Sequence, residues 1–434
     1  MEEKVAFWFR RDLRLDDNVG LAHALKSGKQ VVPVFMFDRE ILDELPQNDA
    51  RVDFIHRTIT DLQKQLGALG SSMIVRYGMP HDIWPELVER FSIKCVFTNH
   101  DYEPYALQRD GETKDLLAAK GVRLETFRDQ VIFEKDEIVS KGKGTPYTVF
   151  TPYSRAWKAA LTKERLADVK TEAHFDQFWD SDSLDIPSLE EMGFKTTEVC
   201  FPERIPDKEI IKLYDQTRDY PAKLGTSRVG LHLRFGTLSI RKLVRVAKSL
   251  NETYLSELIW REFYMQILAN FPHVVNGPFR KKYDAIQWRD NMEEFAKWKA
   301  GMTGYPMVDA GMREIAATGH MHNRSRMVVA SFLTKHLLIN WQYGEQYFAE
   351  KLLDFELASN NGGWQWAAGC GTDAAPYFRI FNPESQFKKF DPKGEYVRKW
   401  VPEYGTPAYP KPMVDHKVAR ERCLATYKAG LDRE

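Results

Sequence analysis

The first residues that could do chemistry lie on one face of a predicted helix. Residues 255–271 follow a helical period, and positions i, i+3, i+4 and i+7 of this helix share a face. Those positions carry an acid, an indole, a guanidinium and a phenol, namely Glu257, Trp260, Arg261 and Tyr264. This mixture of side chains is typical neither of a helix face that packs in a hydrophobic core nor of one that is exposed to solvent. It is typical of a polar cleft with aromatic walls, which suits a stacked base or another flat heterocycle.

A second candidate segment, residues 352–383, combines small residues, indoles and acids. The run Asn-Asn-Gly-Gly at 360–363 predicts a tight turn, because Asn and Gly adopt positive φ at little cost. Trp364 and Trp366 follow at once, and Asp354 and Glu356 precede the run. The pattern indicates a backbone wrapped around a flat ligand. A helix–turn–helix corner closed by a tryptophan fits the local pattern equally well.

Two further segments repeat this polar character. In the helical pattern of residues 321–338, Asn323, Arg326 and Met327 share a face. Residues 226–228, Thr-Ser-Arg, precede a short helical run, and hydroxyls beside an arginine at a helix start are typical of a phosphate site. Taken together, these segments indicate a ligand site in the second half of the chain.

The first half of the chain predicts a doubly wound parallel sheet of five strands. Nearly continuous apolar runs lie at residues 5–9, 31–37, 72–77, 94–99 and 123–127, as in strands buried on both faces. Residues 49–66 and 105–120 have the length of crossover helices. No GxGxxG follows the first strand, so no dinucleotide phosphate loop is expected. A ligand would lie at the strand ends, near residues 10–12 and 99–105, unless these residues form a salt-bridged strand end.

These patterns divide the chain of 434 residues into three parts. We predict an α/β domain at residues 1–130, a long linker at 131–205 and an all-α domain at 206–434. Residues 1–210 carry a net charge of −9, and residues 211–434 carry a net charge of +9. The basic C-terminal half of the chain is therefore expected to bind a polyanion. Seven of the 11 tryptophans lie between residues 260 and 400; such indoles either pack a core or relay single electrons.

Composition excludes several other classes of protein. No apolar run is long enough for a membrane span, and the N-terminal residues lack a signal-peptide pattern. The four cysteines are far apart and show no CxxC spacing, so neither a disulfide framework nor a metal site is expected. We therefore expect a cytoplasmic protein.

Longer motifs identify a family. They are residues 8–14 (WFRRDLR), 256–264 (SELIWREFY), 303–306 (TGYP), 321–324 (MHNR), 360–366 (NNGGWQW) and 378–383 (FRIFNP). Over essentially its whole length, the chain resembles the DNA photolyase/cryptochrome family. It is most similar to the bacterial class I members that act on cyclobutane pyrimidine dimers. The resemblance implies an α/β domain joined by a long linker to an all-α FAD-binding domain.

The resemblance also implies which residues hold the FAD. The positions that match flavin contacts of the family are Tyr214, Thr226, Ser227, Arg228, Val229, Gly230, Glu257, Arg261, Asn323, Asp354, Phe355, Glu356 and Asn360. Asn360 would face the flavin N5. Gly230 and Phe355 stand where the family commonly has Ser and Gly.

The remaining implied positions concern electron relay and the substrate. Trp364, Trp341 and Trp288 match the family's relay of single electrons to the flavin. The positions that match contacts to DNA or to the lesion are Arg218, Trp260, Asn323, Arg324, Met327, Trp366 and Gln386, with Glu257 hydrogen-bonded to the base edge. The implied partner is UV-damaged DNA, bound by a monomer.

The implied reaction is light-dependent DNA repair by a lyase. Reduced FAD donates an electron to a flipped-out cyclobutane pyrimidine dimer, which splits into two pyrimidines. Six-four repair would need a histidine pair, one member of it at the position of Met327. The alternative is a cryptochrome-type blue-light photoreceptor, although Asn360 stands where many photoreceptors have Asp or Cys.

A second, antenna chromophore is also expected in this family. Folate-binding members carry an Asn–Glu pair at the positions that correspond here to Tyr105 and Ala106, and a Lys at the position of Val275. This mismatch argues against ordinary binding of a folate, and a deazaflavin, a flavin mononucleotide or an empty pocket remains open.

Overall fold

The apolar runs of the first half pair into one parallel sheet, as predicted. The computed structural model describes residues 3–432. Its strands are β1 (Lys4–Phe9), β2 (Val31–Asp38), β3 (Ile74–Gly78), β4 (Ile93–Asn99) and β5 (Arg123–Phe127), in the order β3-β2-β1-β4-β5. Every residue of β2 is buried, because both faces of a doubly wound sheet are covered by helices. The predicted fold of this half is confirmed.

The helices around the sheet are set by their caps and their apolar faces. They are α1 (Val19–Leu25), α2 (Arg39–Leu42), α3 (Ala50–Gly67), α4 (Pro80–Phe91) and α5 (Pro104–Ala119). Asp49 begins α3 by accepting a hydrogen bond from the Arg51 backbone N–H at 2.9 Å. On the face covered by α4 and α5, the ring of Trp8 packs edge-on against that of Trp84, with 5.5 Å between centroids.

The rest of the chain is helical, and no strand beyond β5 occurs among the described residues. In chain order the helices are α6 (Phe150–Ala160), α7 (Lys208–Lys212), α8 (Tyr214–Thr217), α9 (Gly230–Arg234), α10 (Ile240–Leu250), α11 (Glu252–Asn270), α12 (Met292–Lys299), α13 (Pro306–Thr318), α14 (Asn323–Ser331), α15 (Trp341–Lys351), α16 (Leu357–Ala368), α17 (Pro383–Phe390), α18 (Glu395–Trp400) and α19 (His416–Leu431). A π-helical turn, Phe332–His336, continues α14. None of the helices in residues 3–432 is both long and apolar enough to cross a membrane.

Contacts group the chain into two units that interleave in sequence. The first contains the chain up to Glu137 together with Ala160–Ile205 and Val229–Val246. The second contains Ile138–Ala159, Pro206–Arg228 and the chain from Ala247 onward. The domain boundaries that we predicted after residues 130 and 205 stay a prediction. One segment of the predicted linker, α6, belongs by its contacts to the helical unit.

The predicted tight turn at residues 360–363 is wrong. The helix α16 runs through these residues and ends at Gly369, whose φ is +87°. Gly362 is required for a different reason, because a Cβ on it would stand 2.2 Å from the ring of Tyr264 on α11. The glycine therefore lets two helices approach closely.

Candidate active site

The polar helix face predicted at residues 255–271 is part of α11, and it meets α16. Tyr264 contacts this helix at Gly362. Glu257 and Trp260, nearer the start of α11, are both partly exposed. Asn251 sets the start of α11, since its side chain accepts hydrogen bonds from the Thr253 and Tyr254 backbone N–H groups. The crossing of the two helices therefore fixes the orientation of the predicted cleft.

Glu257 lies in an ion pair with Arg218, two residues that the sequence analysis places at the lesion and the DNA. The Arg218 Nη1 donates to Glu257 Oε1. Burial raises the pKa of Glu257 above its usual range, and Arg218 only partly offsets this effect. The carboxyl can therefore take up a proton more readily than an ordinary glutamate.

The acids predicted beside the flavin are each held by an arginine. The Arg326 guanidinium lies 2.9 Å from Asp354, and that of Arg261 lies 3.2 Å from Glu356. Burial raises the pKa of Asp354, but Arg326 and His320 outweigh burial and hold this pKa below its usual range. Asp354 therefore stays ionised, and its position is fixed by a charged hydrogen bond.

In the predicted phosphate-binding segment, residues 226–228, the Ser227 hydroxyl contacts another side chain, whereas the Arg228 guanidinium is exposed. Ser227 Oγ lies 2.7 Å from the Tyr254 hydroxyl, and the ring of Tyr254 packs edge-on against that of Tyr214. Arg228 is exposed and has a φ of +54°, which only a few non-glycine residues adopt. The predicted contacts Val229 and Gly230 follow at the start of α9 and belong by their contacts to the other unit.

Asn360 is oriented through a glutamate that the sequence analysis missed. Its amide donates to the Glu345 carbonyl at 3.0 Å, so the amide oxygen is directed away from that carbonyl. The neighbouring Asn361 donates to the Glu345 carboxylate at 3.1 Å. Burial raises the pKa of Glu345 to about 7. Glu345 precedes Asn360 by 15 residues, and no periodicity links the two positions.

These residues fit FAD. The hydroxyl of Ser227 and the guanidinium of Arg228 suit a diphosphate. The amide oxygen of Asn360 suits a ring N–H donor. Phe355 is half-buried against the main hydrophobic cluster. In the sequence it stands between the two acids that pair with arginines, Asp354 and Glu356. The predicted contacts with FAD stay a prediction residue by residue, while their chemistry matches the cofactor.

The raised pKa of Glu345 makes stability depend on pH. A folded pKa of about 7 lies above the ordinary value of 4.5. The contribution of this carboxyl to stability is therefore fully present below pH 4.5 and is lost as the pH rises through 7. We expect Glu345→Gln to stabilise the protein at pH 8 by at most about 3 kcal/mol, the free energy that this pKa difference represents, and to have little effect at pH 4.5.

Thermal unfolding at the two pH values measures this difference. Glu350→Gln, at an exposed position of the same helix, is the matched control and should behave alike at both. If Glu345→Gln shifts the midpoint equally at pH 4.5 and pH 8, the carboxyl is not buried as described.

Of the three tryptophans predicted to relay electrons, Trp341 and Trp364 belong to one buried hydrophobic cluster, and the partly buried Trp288 packs against it. Trp364 packs so closely against α15 that a Cβ at Gly344 would stand 2.2 Å from its indole. Trp341 lies one turn before Gly344 on the same helix. The residue after Trp288 donates its backbone N–H to the Leu338 carbonyl at 2.7 Å, three residues before Trp341. The order Trp364, Trp341, Trp288 stays a prediction that this packing supports.

The predicted DNA contacts surround the start of α14 and continue to α17. Asn323 is exposed, and its amide lies 3.9 Å from the Met327 sulfur. Arg324 pairs with Asp219 at 2.6 Å and stacks over the ring of Phe390. The position of Arg324 is therefore fixed by side chains that lie far away in sequence.

Two more predicted DNA contacts lie on neighbouring helices. Trp366, on α16, is half-buried and has the Arg379 guanidinium 5.9 Å from its ring centre. Gln386, on α17, has a buried side-chain oxygen for which the structure records no hydrogen-bond partner among the described residues. Such an oxygen is an acceptor that a bound ligand could satisfy.

The strand ends of the sheet form the salt-bridged alternative that the sequence left open. Arg10 pairs with Asp110, and Arg11 pairs with Asp101 at 2.9 Å. Asp12 accepts a hydrogen bond from the side chain of Asn99 at 2.5 Å. These groups fill the crevice between β1 and β4 and leave room for little more than a water molecule.

Comparison with known proteins assigns both halves of the chain. Residues 5–172 match the family model described as DNA photolyase, and residues 254–406 match the FAD binding domain of DNA photolyase. A deoxyribodipyrimidine photo-lyase of Synechococcus sp. is 35% identical to this chain, over 98% of this chain and 97% of the relative.

Two solved structures agree with this assignment. A bacterial class III photolyase from Agrobacterium tumefaciens has a TM-score of 0.88 and 33% identity, over 100% of this chain and 98% of that one. An archaeal photolyase from Sulfolobus tokodaii, solved with two FAD molecules, has a TM-score of 0.84 and 31% identity, over 98% of this chain and 100% of that one. The predicted fold is therefore confirmed.

Proposed function

The chain belongs to the DNA photolyase family, whose members repair DNA in a light-dependent reaction, and from that premise we propose that it splits cyclobutane pyrimidine dimers with reduced FAD. The observation that carries this proposal is the exposed end of the α11 face. There Glu257 and Trp260, one helical turn apart and both partly exposed, place a proton-binding carboxyl beside a flat indole. A flipped-out base needs both an edge contact and a stacking contact.

The residues of the helical unit divide into those that hold the cofactor and those that hold the substrate. When bound, reduced FAD supplies the light-driven electron that cleaves the dimer. Asp354 and Glu356, fixed by their arginines, orient the cofactor, and Asn360 presents its amide oxygen. The two helices α11 and α16 pack against each other through Gly362, which keeps water from that side of the cleft.

Different residues would stack on the substrate base and hydrogen-bond to its edge. Trp260 and Trp366 offer ring faces, and base stacking on an aromatic side chain contributes about 1–3 kcal/mol. Glu257 and Asn323 reach the base edge. Burial raises the pKa of Glu257, and Arg218 partly offsets this effect; the ion pair with Arg218 holds the carboxyl at the base edge, where negative charge develops in the reaction. Arg218, Arg324 and Gln386 contact the backbone of the DNA.

The histidines near the lesion pocket favour the cyclobutane dimer over the six-four photoproduct. His322 is buried, and its Nδ1 accepts a hydrogen bond from the Arg324 backbone N–H at the start of α14. Burial lowers the pKa of His322 to about 4, so this ring is neutral near pH 7. Met327 occupies the position where an imidazole acid would be needed. His322 and Met327 therefore do not provide the protonated imidazole that repair of a six-four photoproduct would need.

Illumination of a defined oligonucleotide tests the proposal. Purified protein, with its flavin reduced chemically, is mixed with a duplex that contains one thymine dimer and exposed to blue light. We expect loss of the dimer in the light and none in the dark, and no repair of a duplex that carries a six-four photoproduct. A protein that binds and photoreduces flavin without repairing DNA would instead support the photoreceptor alternative.

Glu257→Ala is the variant that links this activity to the site. Removing a group that stabilises developing charge should lower repair per absorbed photon by about tenfold or more, with the flavin content unchanged. If the variant loses its flavin instead, Glu257 belongs to the cofactor site.

Two finer expectations complete the proposal. All four cysteines are unpaired, which suits the reducing cytoplasm. We also expect a monomer, and light scattering of the purified protein measures its mass directly.

A further inference from the structure

Side chains of α6, and the residues just before it, contact the helix α11. The Trp157 indole N–H donates to Glu262 Oε1 at 2.6 Å, and the Gln266 amide donates to the Tyr147 carbonyl at 2.8 Å. Lys158 pairs with Glu252 near the start of α11. By its sequence, this segment falls within the predicted linker, residues 131–205. Its contacts instead join it to the helix that carries Glu257 and Trp260.

The first residue of α6 stacks on the indole of Trp260. The ring centroids of Phe150 and Trp260 lie 3.7 Å apart, and the two planes differ by only 6°. Aromatic pairs in proteins usually have centroids about 4.5–7 Å apart, so this stack is unusually close and face-on. Phe263 contacts both rings edge-on, at 5.8 Å from Phe150 and 5.6 Å from Trp260. One face of the indole is therefore covered, and its tilt is fixed.

The backbone around Phe150 is anchored as well. The Phe150 N–H donates to Asp373 Oδ2 at 3.1 Å, and the Thr372 hydroxyl donates to the Thr148 carbonyl. Asp373 has a φ of +45°, in the left-handed region where Asp occurs more often than most other non-glycine residues. Two loops, residues 147–150 and 372–373, thus hold the phenyl ring in place.

We propose that Phe150 is a positioning residue of the lesion pocket: it stacks behind Trp260 and leaves one face of the indole to receive a flipped-out base. This inference rests on the proposed function. Trp260 remains partly exposed although Phe150 covers one face and the Tyr264 ring lies 5.4 Å away in a tilted arrangement, so part of the indole stays accessible. An indole that is already oriented loses little freedom when a base stacks on it, and preorganised contacts bind more tightly.

The ring of Phe150 is tested by Phe150→Leu, with Phe150→Tyr as the variant that restores the ring. Val149→Ala, at the exposed preceding residue, is the control. Flavin-loaded proteins are titrated in the dark with a duplex that contains one thymine dimer and with the same duplex undamaged. For Phe150→Leu we expect a dissociation constant for dimer DNA raised about 5- to 20-fold, which corresponds to losing part of one stacking contact. Binding of undamaged DNA and repair at saturating DNA should stay within about twofold of the wild type by the same argument.

Each outcome decides the matter. Phe150→Tyr and Val149→Ala should bind dimer DNA as the wild type does. Equal weakening for dimer and undamaged DNA, loss of flavin from Phe150→Leu, or unchanged dimer binding would each overturn the positioning role. If the wild type itself does not prefer dimer DNA, the proposed function fails. If the wild type binds dimer DNA more tightly than undamaged DNA and Phe150→Leu does so to the same extent, only the positioning role of Phe150 is refuted.

Discussion

Gly362→Ala is expected to destabilise the protein by about 3 kcal/mol, the upper end of the cost of overpacking, and to weaken flavin retention. An alanine Cβ would stand 2.2 Å from one carbon and 2.3 Å from another in the ring of Tyr264. These atoms are close to the backbone of α11, so the clash cannot be relieved by moving a flexible chain end. The helices α11 and α16 would have to separate, which widens the site between Glu257 and Asn360.

The next residue provides an internal control of opposite sign. Gly363 lies in the same helix and is exposed, and a Cβ there would meet no atom within 4 Å. Replacing a glycine inside a helix by alanine normally stabilises it by about 0.5–1 kcal/mol. We therefore expect Gly363→Ala to raise the midpoint of thermal unfolding and Gly362→Ala to lower it. If the two variants are equally stable, the close approach of the helices is not as described.

This pair of glycines also shows what the sequence could and could not predict. Strands and long helices were predicted to within a few residues, because apolar periodicity reports directly on buried faces. The run at 360–363 was misread as a turn, since glycine serves both turns and close helix approach. Only the partner distinguishes the two uses, and that partner, Tyr264, lies on another helix.

The same limit applies to the site. Motifs identify Glu257, Trp260 and Asn360, because these residues stand in long runs that resemble a known family. They do not reveal Phe150 behind Trp260 or Glu345 behind Asn360. Such partners meet only in the folded chain, across about a hundred residues in the first case. The burial that raises the pKa of Glu345 likewise comes from parts of the chain that lie outside the local sequence pattern.

Trp364→Phe is expected to slow light-driven reduction of the bound, oxidised flavin at least tenfold, while repair by chemically reduced protein stays near that of the wild type. The indole of Trp364 is buried beside α15, which carries Trp341 one turn from the contact. A phenyl ring is much harder to oxidise than an indole, so the first step of the relay would be lost. Absorbance of the flavin under blue light, with an external reductant present, measures the rate.

Trp298→Phe is the matched control, because it removes a buried indole of the same cluster. The ring of Trp298 lies 6.1 Å from that of Trp364 and is fully buried. Both variants lose similar packing, so a common loss of stability cannot explain a difference between them. Normal photoreduction in Trp298→Phe, with slowed photoreduction in Trp364→Phe, would place Trp364 and not Trp298 on the route of the electron. Equal slowing in the two variants would instead place Trp298 on the route, and loss of repair by pre-reduced Trp364→Phe would refute a role confined to electron relay.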